Sequence, residues 1–126
     1  MNDETRLLRQ VHPSFIADGF VSSQAFTPFP KDAGLLSVYD GDLISAEDAY
    51  LHYTQTLHFQ SVGVWAVTNA EAEEVGLSSR PDPLEDFAQH AVIDFTAHSP
   101  KTIRKLAKQL RDFAAKRGCL FAPTSA

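Results

Sequence analysis

The chain contains a single cysteine, Cys119, among its 126 residues, and it has no CxxC pair. One cysteine cannot form a disulfide within the chain, and a zinc site built from thiolates needs several. The sequence therefore excludes a disulfide-stapled fold and a thiolate zinc centre. Two apolar residues follow this cysteine, so we expect its thiol to be buried and unreactive.

Long apolar runs are also missing. The most apolar segment, residues 62–67, has the length of a strand, whereas a membrane-spanning helix needs about 20 consecutive apolar residues. The chain begins MNDET, which is acidic and polar, while a secretory signal would begin basic and continue apolar. These absences predict a cytoplasmic protein that does not contact a membrane.

The common signatures of nucleotide, metal and acyl-transfer sites are absent as well. The chain has no GxGxxG, GxxxxGKS/T, HExxH or GxSxG motif and no internal repeat. Because no serine lies in a nucleophile elbow, the sequence does not predict a Ser-His-Asp triad. No pair of histidines has helical i, i+4 spacing together with a carboxylate, so we expect neither a metal nor a cofactor.

Charge is present but unevenly distributed. The chain carries 11 lysine and arginine residues against 16 aspartate and glutamate residues, a net charge of −5. Residues 101–126 hold seven of the basic residues and one acidic residue, so this part is +6 and the first 100 residues are −11. A length of 126 residues with 44% hydrophobic residues suits one domain, residues 1–126, with its own core.

Apolar patterning and capping residues predict an α+β fold. Strands are predicted at residues 5–11, 20–26, 35–39, 61–68 and 90–95, with a final edge strand at 119–121. Ser45, Thr68 and Ser99 begin three helices, and Gly118 ends the last one. Residues 78–89 contain two prolines and are predicted as a loop. Because strands and helices do not alternate regularly, we predict a single compact domain with a mixed sheet of about six short strands and three helices.

The last predicted helix is basic and amphipathic. Its apolar stripe consists of Ile103, Leu106, Ala107, Leu110, Phe113 and Ala114. Its opposite face carries Lys101, Arg104, Lys105, Lys108 and Arg111. Three interpretations fit this face: a contact surface for a phosphate group or an acidic protein, which includes a homo-oligomer; an ordinary solvated face; or a partner of the acidic body. Because the body is −11, general RNA binding is a less favoured alternative.

Histidines and serines form a second set of candidate residues. His12 precedes a proline that makes its backbone rigid, which suits a general acid or base or a group that contacts phosphate; the alternative is a hydrogen bond to a loop carbonyl. Ser23 and Ser37 lie in otherwise apolar strands, either as a polar floor beneath a ligand or as the solvent-facing positions. His90 begins an apolar strand and would join His12 if the two strands were neighbours. His52 faces away from the apolar stripe of its helix and is expected on the surface.

Several runs of the sequence resemble a group of small bacterial proteins that have no assigned activity. These runs are RQVHPSF (9–15), SSQAF (22–26), LSVY (36–39) and HAVI (90–93), followed by the basic helix. A fainter likeness is to the ADP-ribosyltransferase fold, including RES-type toxins that degrade NAD. That resemblance implies an NAD- or nucleotide-using enzyme in which Arg9 or His12, Ser23 and Tyr39 occupy the site.

These observations favour a binding or accessory protein of a bacterial gene cluster. It would contact a protein or a phosphate-bearing partner through the basic helix and a polar patch. This patch is built from His12, Ser23, Ser37 and His90, and Arg9 and Ser37 are the residues expected to bind the partner or its phosphate. The competing hypothesis is the NAD- or nucleotide-using enzyme, which requires the candidate catalytic residues to converge in one pocket. These candidates are His12, Ser23, Tyr39 and His90.

Overall fold

The computed structural model describes residues 1–123, and an antiparallel sheet is the centre of the fold. The strands are β1 (Arg6–Val11), β2 (Ile16–Ala17), β3 (Phe20–Val21), β4 (Leu35–Asp40), β5 (Gly63–Thr68), β6 (Ser78–Pro81) and β7 (His90–Asp94). The helices are α1 (Ala46–Leu51), α2 (Asn69–Glu74) and α3 (Pro100–Arg117), with 3-10 helices at Pro13–Phe15, Ser23–Phe26 and Pro30–Asp32 and a π-helix at His52–Thr56. The predicted α+β class is confirmed. In this part of the chain, no helix is long and apolar enough to cross a membrane.

Strand order explains why the sheet is antiparallel. Within residues 1–123 five strands are arranged as β5-β1-β4-β7-β6, while β2 and β3 form a separate hairpin. Each neighbouring pair in the large sheet is antiparallel, so the predicted mixed pairing was wrong. Helix α1 joins β4 to β5, which run in the same direction, but β1 lies between them and pairs with both. The crossover therefore creates no parallel pair.

The two faces of the sheet have different covers. Leu7 and Val11 of β1 belong to the larger core, with Leu110 of α3, and we call this side the α3 face. Leu8 lies on the opposite side, where it packs with Ala49 of α1 in a smaller core, and we call this side the α1 face. Side chains alternate between these two faces along each strand, although a long side chain can reach the other face where two strands separate.

Helix α3 forms as its sequence predicts. The Ser99 hydroxyl accepts a hydrogen bond from the Thr102 N–H, Pro100 occupies the first turn, and Gly118 adopts φ +90° at the end. Its buried side chains are Leu106, Ala107, Leu110 and Ala114. The basic residues occupy the outward face, so the prediction of a basic amphipathic helix is confirmed.

Residues 20–26 differ from the predicted strand. The strand ends at Val21, and Ser23–Phe26 form a 3-10 helix instead. Ala25 and Phe26 are both fully buried against the core of the α3 face. Neighbouring residues of a strand point to opposite sides, so only a helical turn can bury this adjacent pair under one helix.

The predicted loop at 78–89 begins with an edge strand. Ser78–Pro81 pair with β7 as strand β6. Its residues are mostly exposed and have no apolar alternation, which is the signal that identifies a buried strand. Proline is tolerated at the end of an edge strand because the outer edge needs no N–H donor.

The segment after α3 covers the outer edge of β5. Its contact is a single bridge, in which the Val64 N–H donates to the Phe121 carbonyl and the Leu120 N–H to the Val64 carbonyl, both at 2.8 Å. A Cβ on Gly63 would lie 2.8 Å from the Phe121 oxygen, so the close approach requires glycine. The expectation of a buried thiol was wrong: Cys119 is exposed, because it lies in the turn that leaves the helix.

Candidate functional site

A cavity of about 300 Å³ opens on the α1 face of the sheet. Its lining residues are Leu8, Arg9, Gln10, Ser37, Val38, Tyr39, Tyr53, Leu57, Phe59, Leu84, Phe87 and His90. We call it the sheet cavity. Its volume lies at the lower end of the range of about 300–1,000 Å³ found for ligand pockets, so it suits a small molecule.

Arg9 forms the floor where two strands separate. Strands β1 and β4 pair at Leu7 with Asp40 and at Leu8 with Tyr39, and their pairing ends there. The guanidinium of Arg9 fills the gap beyond, where Nε donates to the Ala25 carbonyl (2.6 Å) and Nη1 to the Ser37 carbonyl (2.9 Å). A guanidinium has five N–H donors, and the other three have no protein acceptor within residues 1–123.

The charge on Arg9 is poorly compensated. Burial lowers the pKa of its guanidinium, and nearby Tyr53 and Asp32 act in the opposite direction. The group stays protonated at neutral pH because a guanidinium loses its proton only in strong base. Among the described residues it forms no ion pair with a carboxylate. A partly desolvated cation with free donors is a binding group for an anion.

Gln10 adds an unpaired donor to the same cavity. Its side chain is 5% exposed, and its Oε1 accepts a hydrogen bond from the Ser61 hydroxyl at 2.8 Å. Its Nε2 has no hydrogen-bond partner in the described chain. Buried donors are nearly always paired in folded proteins because leaving one unpaired costs about 1–3 kcal/mol. Because Gln10 lines the sheet cavity, this donor is a candidate group for a ligand, although Nε2 itself is closed to solvent.

Ser37, His90 and Asp82 form a chain of hydrogen bonds at the cavity wall. The Nδ1 of His90 lies 2.8 Å from the Asp82 main-chain oxygen and 3.2 Å from the Asp82 carboxylate, and Nε2 lies 3.1 Å from the Ser37 hydroxyl. Both Asp82 oxygens can only accept, so Nδ1 carries a proton, and in the neutral imidazole this leaves Nε2 without one. Nε2 is then the acceptor, and the Ser37 hydroxyl donates to it.

Tyr39 is held as a neutral phenol. Its hydroxyl is 2.8 Å from Nδ1 of His52, and burial, followed by the neighbouring Tyr53, raises its pKa well above the ordinary value. Tyr39 therefore offers a donor at neutral pH and is unsuited to the role of a general base. His52 was expected on the surface, but its ring packs 4.6 Å from the ring of Phe87 because the π-helix turns it toward the sheet.

The upper walls of the sheet cavity are apolar. Leu84 and Phe87 face each other across a tight turn, with N–H to carbonyl distances of 3.0 and 2.9 Å in the two directions. At the mouth, Phe59 is 56% exposed and Leu84 is 50% exposed. Large exposed apolar side chains around a pocket are typical of a binding surface. The cavity thus combines a polar floor with apolar walls.

A second concave surface lies on the α3 face and contains the other candidate residues. It has a volume of about 330 Å³ and is lined by Phe15, Ser23, Gln24, Thr27, Phe29, Arg104 and Lys108. We call it the basic groove. His12 lies beside it, with its ring 5.9 Å from that of Phe15, and its Nδ1 accepts a hydrogen bond from the Ser14 N–H.

The basic residues of α3 are mostly unpaired with the acidic body. Lys101, Arg104, Lys105 and Lys108 are exposed and form no ion pair within residues 1–123, while Arg111 pairs with its own neighbour, Asp112. The ion pair that ties α3 to the body is made by Arg117, which donates to the Glu71 carboxylate at 2.9 and 3.1 Å. The outward charge of the helix is therefore available to a partner.

The structure divides the predicted site residues between two faces. Arg9, Ser37, Tyr39 and His90 line the sheet cavity, whereas Ser23 lies in the basic groove with His12 beside it. The candidate catalytic residues therefore do not converge in one pocket, because His12 and Ser23 follow the ends of β1 and β3 on the α3 face, whereas Tyr39 and His90 point to the α1 face.

Gln10 and Asp82 were missed by sequence reasoning. Gln10 is a polar residue in the strand RLLRQV, and a polar residue at a buried strand position was the signal that could have identified it as a site residue. Asp82 has no signal of its own, since it follows an exposed edge strand and meets His90 only through the pairing of β6 with β7.

Neither a metal centre nor a known family accounts for the site. Within the described residues, no group of three or more His, Cys, Asp or Glu side chains is placed to hold a metal ion. No protein-family model matches the chain, and neither a curated protein nor a solved structure matches it significantly. The chemistry of the cavity itself is thus the basis for assigning a function.

Proposed function

We propose that this chain is a binding protein whose sheet cavity holds a small apolar carboxylate. The observation that carries this proposal is the guanidinium of Arg9, which lines the cavity with three N–H groups unpaired in the described chain. A carboxylate is planar and accepts two hydrogen bonds from such a group. The unpaired Nε2 of Gln10 is a further donor to the same ligand.

The apolar walls of the sheet cavity suit a ligand whose remaining part is apolar. Tyr53, Leu57 and Phe87 surround the space above the floor, and Phe59 and Leu84 form the mouth. An acyl chain or aromatic ring of the ligand would cover these side chains and remove their apolar surface from water. The NAD-using alternative has less support, because His12 and Ser23 lie on the other face of the sheet.

Octanoate and its uncharged analogue octanamide test this proposal. We expect octanoate to bind at least about 10-fold more tightly, since only the carboxylate pairs with the guanidinium. Amide chemical shifts should locate both ligands at β1, β4 and the 82–89 segment. Arg9→Gln should remove the preference for octanoate, while Arg104→Gln on the exposed face of α3 should leave it unchanged. Equal affinity for the two ligands would reject recognition of the carboxylate, and no binding would reject the function.

The basic groove supports a second function, the docking of an acidic protein segment. Arg104 and Lys108 border two phenylalanines, of which Phe29 is 43% exposed, and neither cation has an ion pair in residues 1–123. An acidic segment with one apolar side chain would match this combination of charge and apolar surface. The acidic body, at −11, favours such a limited contact over a polyanion.

A glutamate-rich peptide with one phenylalanine tests the groove. We expect the charge reversals Arg104→Glu and Lys108→Glu together to abolish its binding, and Lys116→Glu at the far end of the helix to preserve it. If single-stranded RNA binds instead, with an affinity that falls steeply with salt, the partner is RNA and the acidic peptide is rejected. If the protein self-associates and the same reversals abolish the self-association, the partner is a second copy of the chain. Origin in a bacterial gene cluster and a cytoplasmic location stay predictions of the sequence.

A further inference from the structure

We infer that the sheet cavity hydrolyses an acyl ester, with Ser37 as nucleophile, His90 as general base and Asp82 as the residue that orients the imidazole. The inference rests on the proposed binding of an apolar carboxylate, because that carboxylate is the acid product of such a reaction. It goes beyond binding, since it assigns a covalent acyl transfer to Ser37, with His90 and Asp82 as the groups that assist it.

The distances match the requirements of nucleophilic catalysis. A nucleophile and its base must lie within about 2.6–3.2 Å of each other, with a third group orienting the base. The Ser37 hydroxyl is 3.1 Å from Nε2 of His90, and Nδ1 is held by the two Asp82 oxygens at 2.8 and 3.2 Å. Ser37 is exposed within the cavity while His90 is 8% exposed, so the nucleophile is accessible and its base is fixed.

Strand register holds these groups rigidly. In the pairing of β4 with β7, Tyr39 lies opposite His90 and Ser37 opposite Val92. Ser37 and His90 are therefore diagonal neighbours on the same face of the sheet. Asp82 is fixed next to them because its N–H donates to the His90 carbonyl at 2.9 Å. Side chains mounted on paired strands lose little entropy when they react.

Donors for the negative charge of the reaction lie on β1. Gln10 follows Leu8 by two residues and therefore points to the same α1 face, where it lines the sheet cavity together with Ser37. Gln10 and Arg9, each with side-chain N–H groups that are unpaired in the described chain, line the cavity with Ser37. Prearranged donors of this kind stabilise the oxyanion that forms when a hydroxyl attacks a carbonyl.

The reaction balances without a cofactor. The Ser37 oxygen forms a bond to the ester carbonyl carbon, and its proton moves to Nε2 of His90. The resulting oxyanion collapses, the bond from carbon to the alcohol oxygen breaks, and the alcohol leaves with the proton from His90. Water then attacks the acyl-serine with His90 as base, which releases the carboxylic acid and restores Ser37.

An alkyl fluorophosphonate and p-nitrophenyl octanoate test the inference. We expect the fluorophosphonate to attach once per chain, at Ser37, as located by peptide mass spectrometry. Ser37→Ala should abolish labelling and lower ester hydrolysis at least about 100-fold. Ser78→Ala, at an exposed position of edge strand β6, is the matched control and should be labelled and should hydrolyse the ester as the unmodified protein does.

Asp82→Asn distinguishes positioning from a structural role. The main-chain oxygen of Asp82 still holds Nδ1 in this variant, so we expect kcat to fall about 10-fold or more with KM and the urea midpoint unchanged. A fall in the urea midpoint of the same variant with kcat unchanged would assign Asp82 to stability and overturn its place in the triad.

The outcomes separate the two proposals. Octanoate binding without labelling of Ser37, or labelling at another residue, would overturn the triad and leave the binding function in place. Labelling of Ser37 without octanoate binding would keep the nucleophile and reject the proposed ligand. Failure of both measurements would reject both.

Discussion

The two faces of one sheet serve different purposes because their covers differ in length. The α3 face is closed by an 18-residue helix and filled by Phe26, Phe95 and Leu110, which are fully buried. The α1 face is covered by a six-residue helix that continues as a π-helix, and it contains the smaller core. A long amphipathic helix excludes water along its whole length. A short one leaves part of the sheet uncovered, and the cavity lies there.

The largest effect expected from this comparison is on stability. Leu110→Ala removes a fully buried side chain from the α3 face and should lower the free energy of unfolding by about 2–5 kcal/mol. Leu84→Ala at the mouth of the cavity, where the side chain is 50% exposed, should change it by less than about 0.5 kcal/mol. Urea denaturation measures both. Similar losses for the two variants would show that the faces contribute equally to stability.

The ion pair that anchors the end of α3 should have the next largest effect. Burial alone would raise the pKa of Glu71, but hydrogen bonds from Arg117 and Thr68 outweigh it and lower that pKa. Arg117 also donates to the Ala66 carbonyl at 2.9 Å. Arg117→Gln should therefore cost about 1–2 kcal/mol in urea denaturation, while Arg104→Gln, which removes an exposed charge, should cost less than about 0.5 kcal/mol. Equal losses of stability in the two variants would show that the Arg117–Glu71 ion pair does not stabilise the protein.

Acid should weaken the β7 end of the sheet. Hydrogen bonds from the Thr96 hydroxyl, from Arg80 and from the Thr96 N–H lower the pKa of Asp94 from 3.8 to about 2. A carboxylate with a lowered folded-state pKa stabilises the protein above its unfolded pKa, and the contribution is lost as pH falls through the folded value. Stability should thus fall between about pH 4 and pH 2, and Asp94→Asn should flatten this part of the curve. If the stability of the unmodified protein and that of Asp94→Asn fall equally between these pH values, Asp94 is not the cause of the loss.

A small effect on stability is expected at the cavity floor. Gln10→Leu removes the buried Nε2 that has no partner in the described chain and the Oε1 that accepts from the Ser61 hydroxyl. That hydroxyl can donate to the Gly63 carbonyl instead, so the free energy of unfolding should change by less than about 1 kcal/mol. The same variant should weaken octanoate binding several-fold, measured by calorimetry. A large loss of stability with unchanged binding would reassign Gln10 from the ligand to the fold.

Local signals were sufficient for part of this fold. The cap at Ser99, the proline after it and the glycine at 118 are short-range features, and α3 begins and ends where they predict. Ser23–Phe26 became a 3-10 helix because the burial of Ala25 and Phe26 depends on α3, which is distant in sequence. Edge strand β6 was missed for a similar reason, since an exposed strand has no apolar pattern and is defined by its partner.

The candidate site was predictable only as a set of separate residues. Ser37 and His90 were identifiable as polar residues in apolar strands, and Arg9 belongs to the run that carries the resemblance to small bacterial proteins. Their grouping with Asp82 and Gln10 depends on strand register and on the early separation of β1 from β4. Register is a property of strand pairs and follows from packing between distant segments.

By itself, the sequence determined the α+β class, the capped basic helix and the absence of familiar catalytic motifs, because these depend on composition and on neighbours within a few residues. The tertiary structure decided which polar residues share a cavity and which lie on the opposite face. It placed Arg9 in a gap between strands and brought Ser37, His90 and Asp82 within hydrogen-bonding distance. The physical reason is that side chains meet across strands, and strand order and register are set by the burial of both faces together.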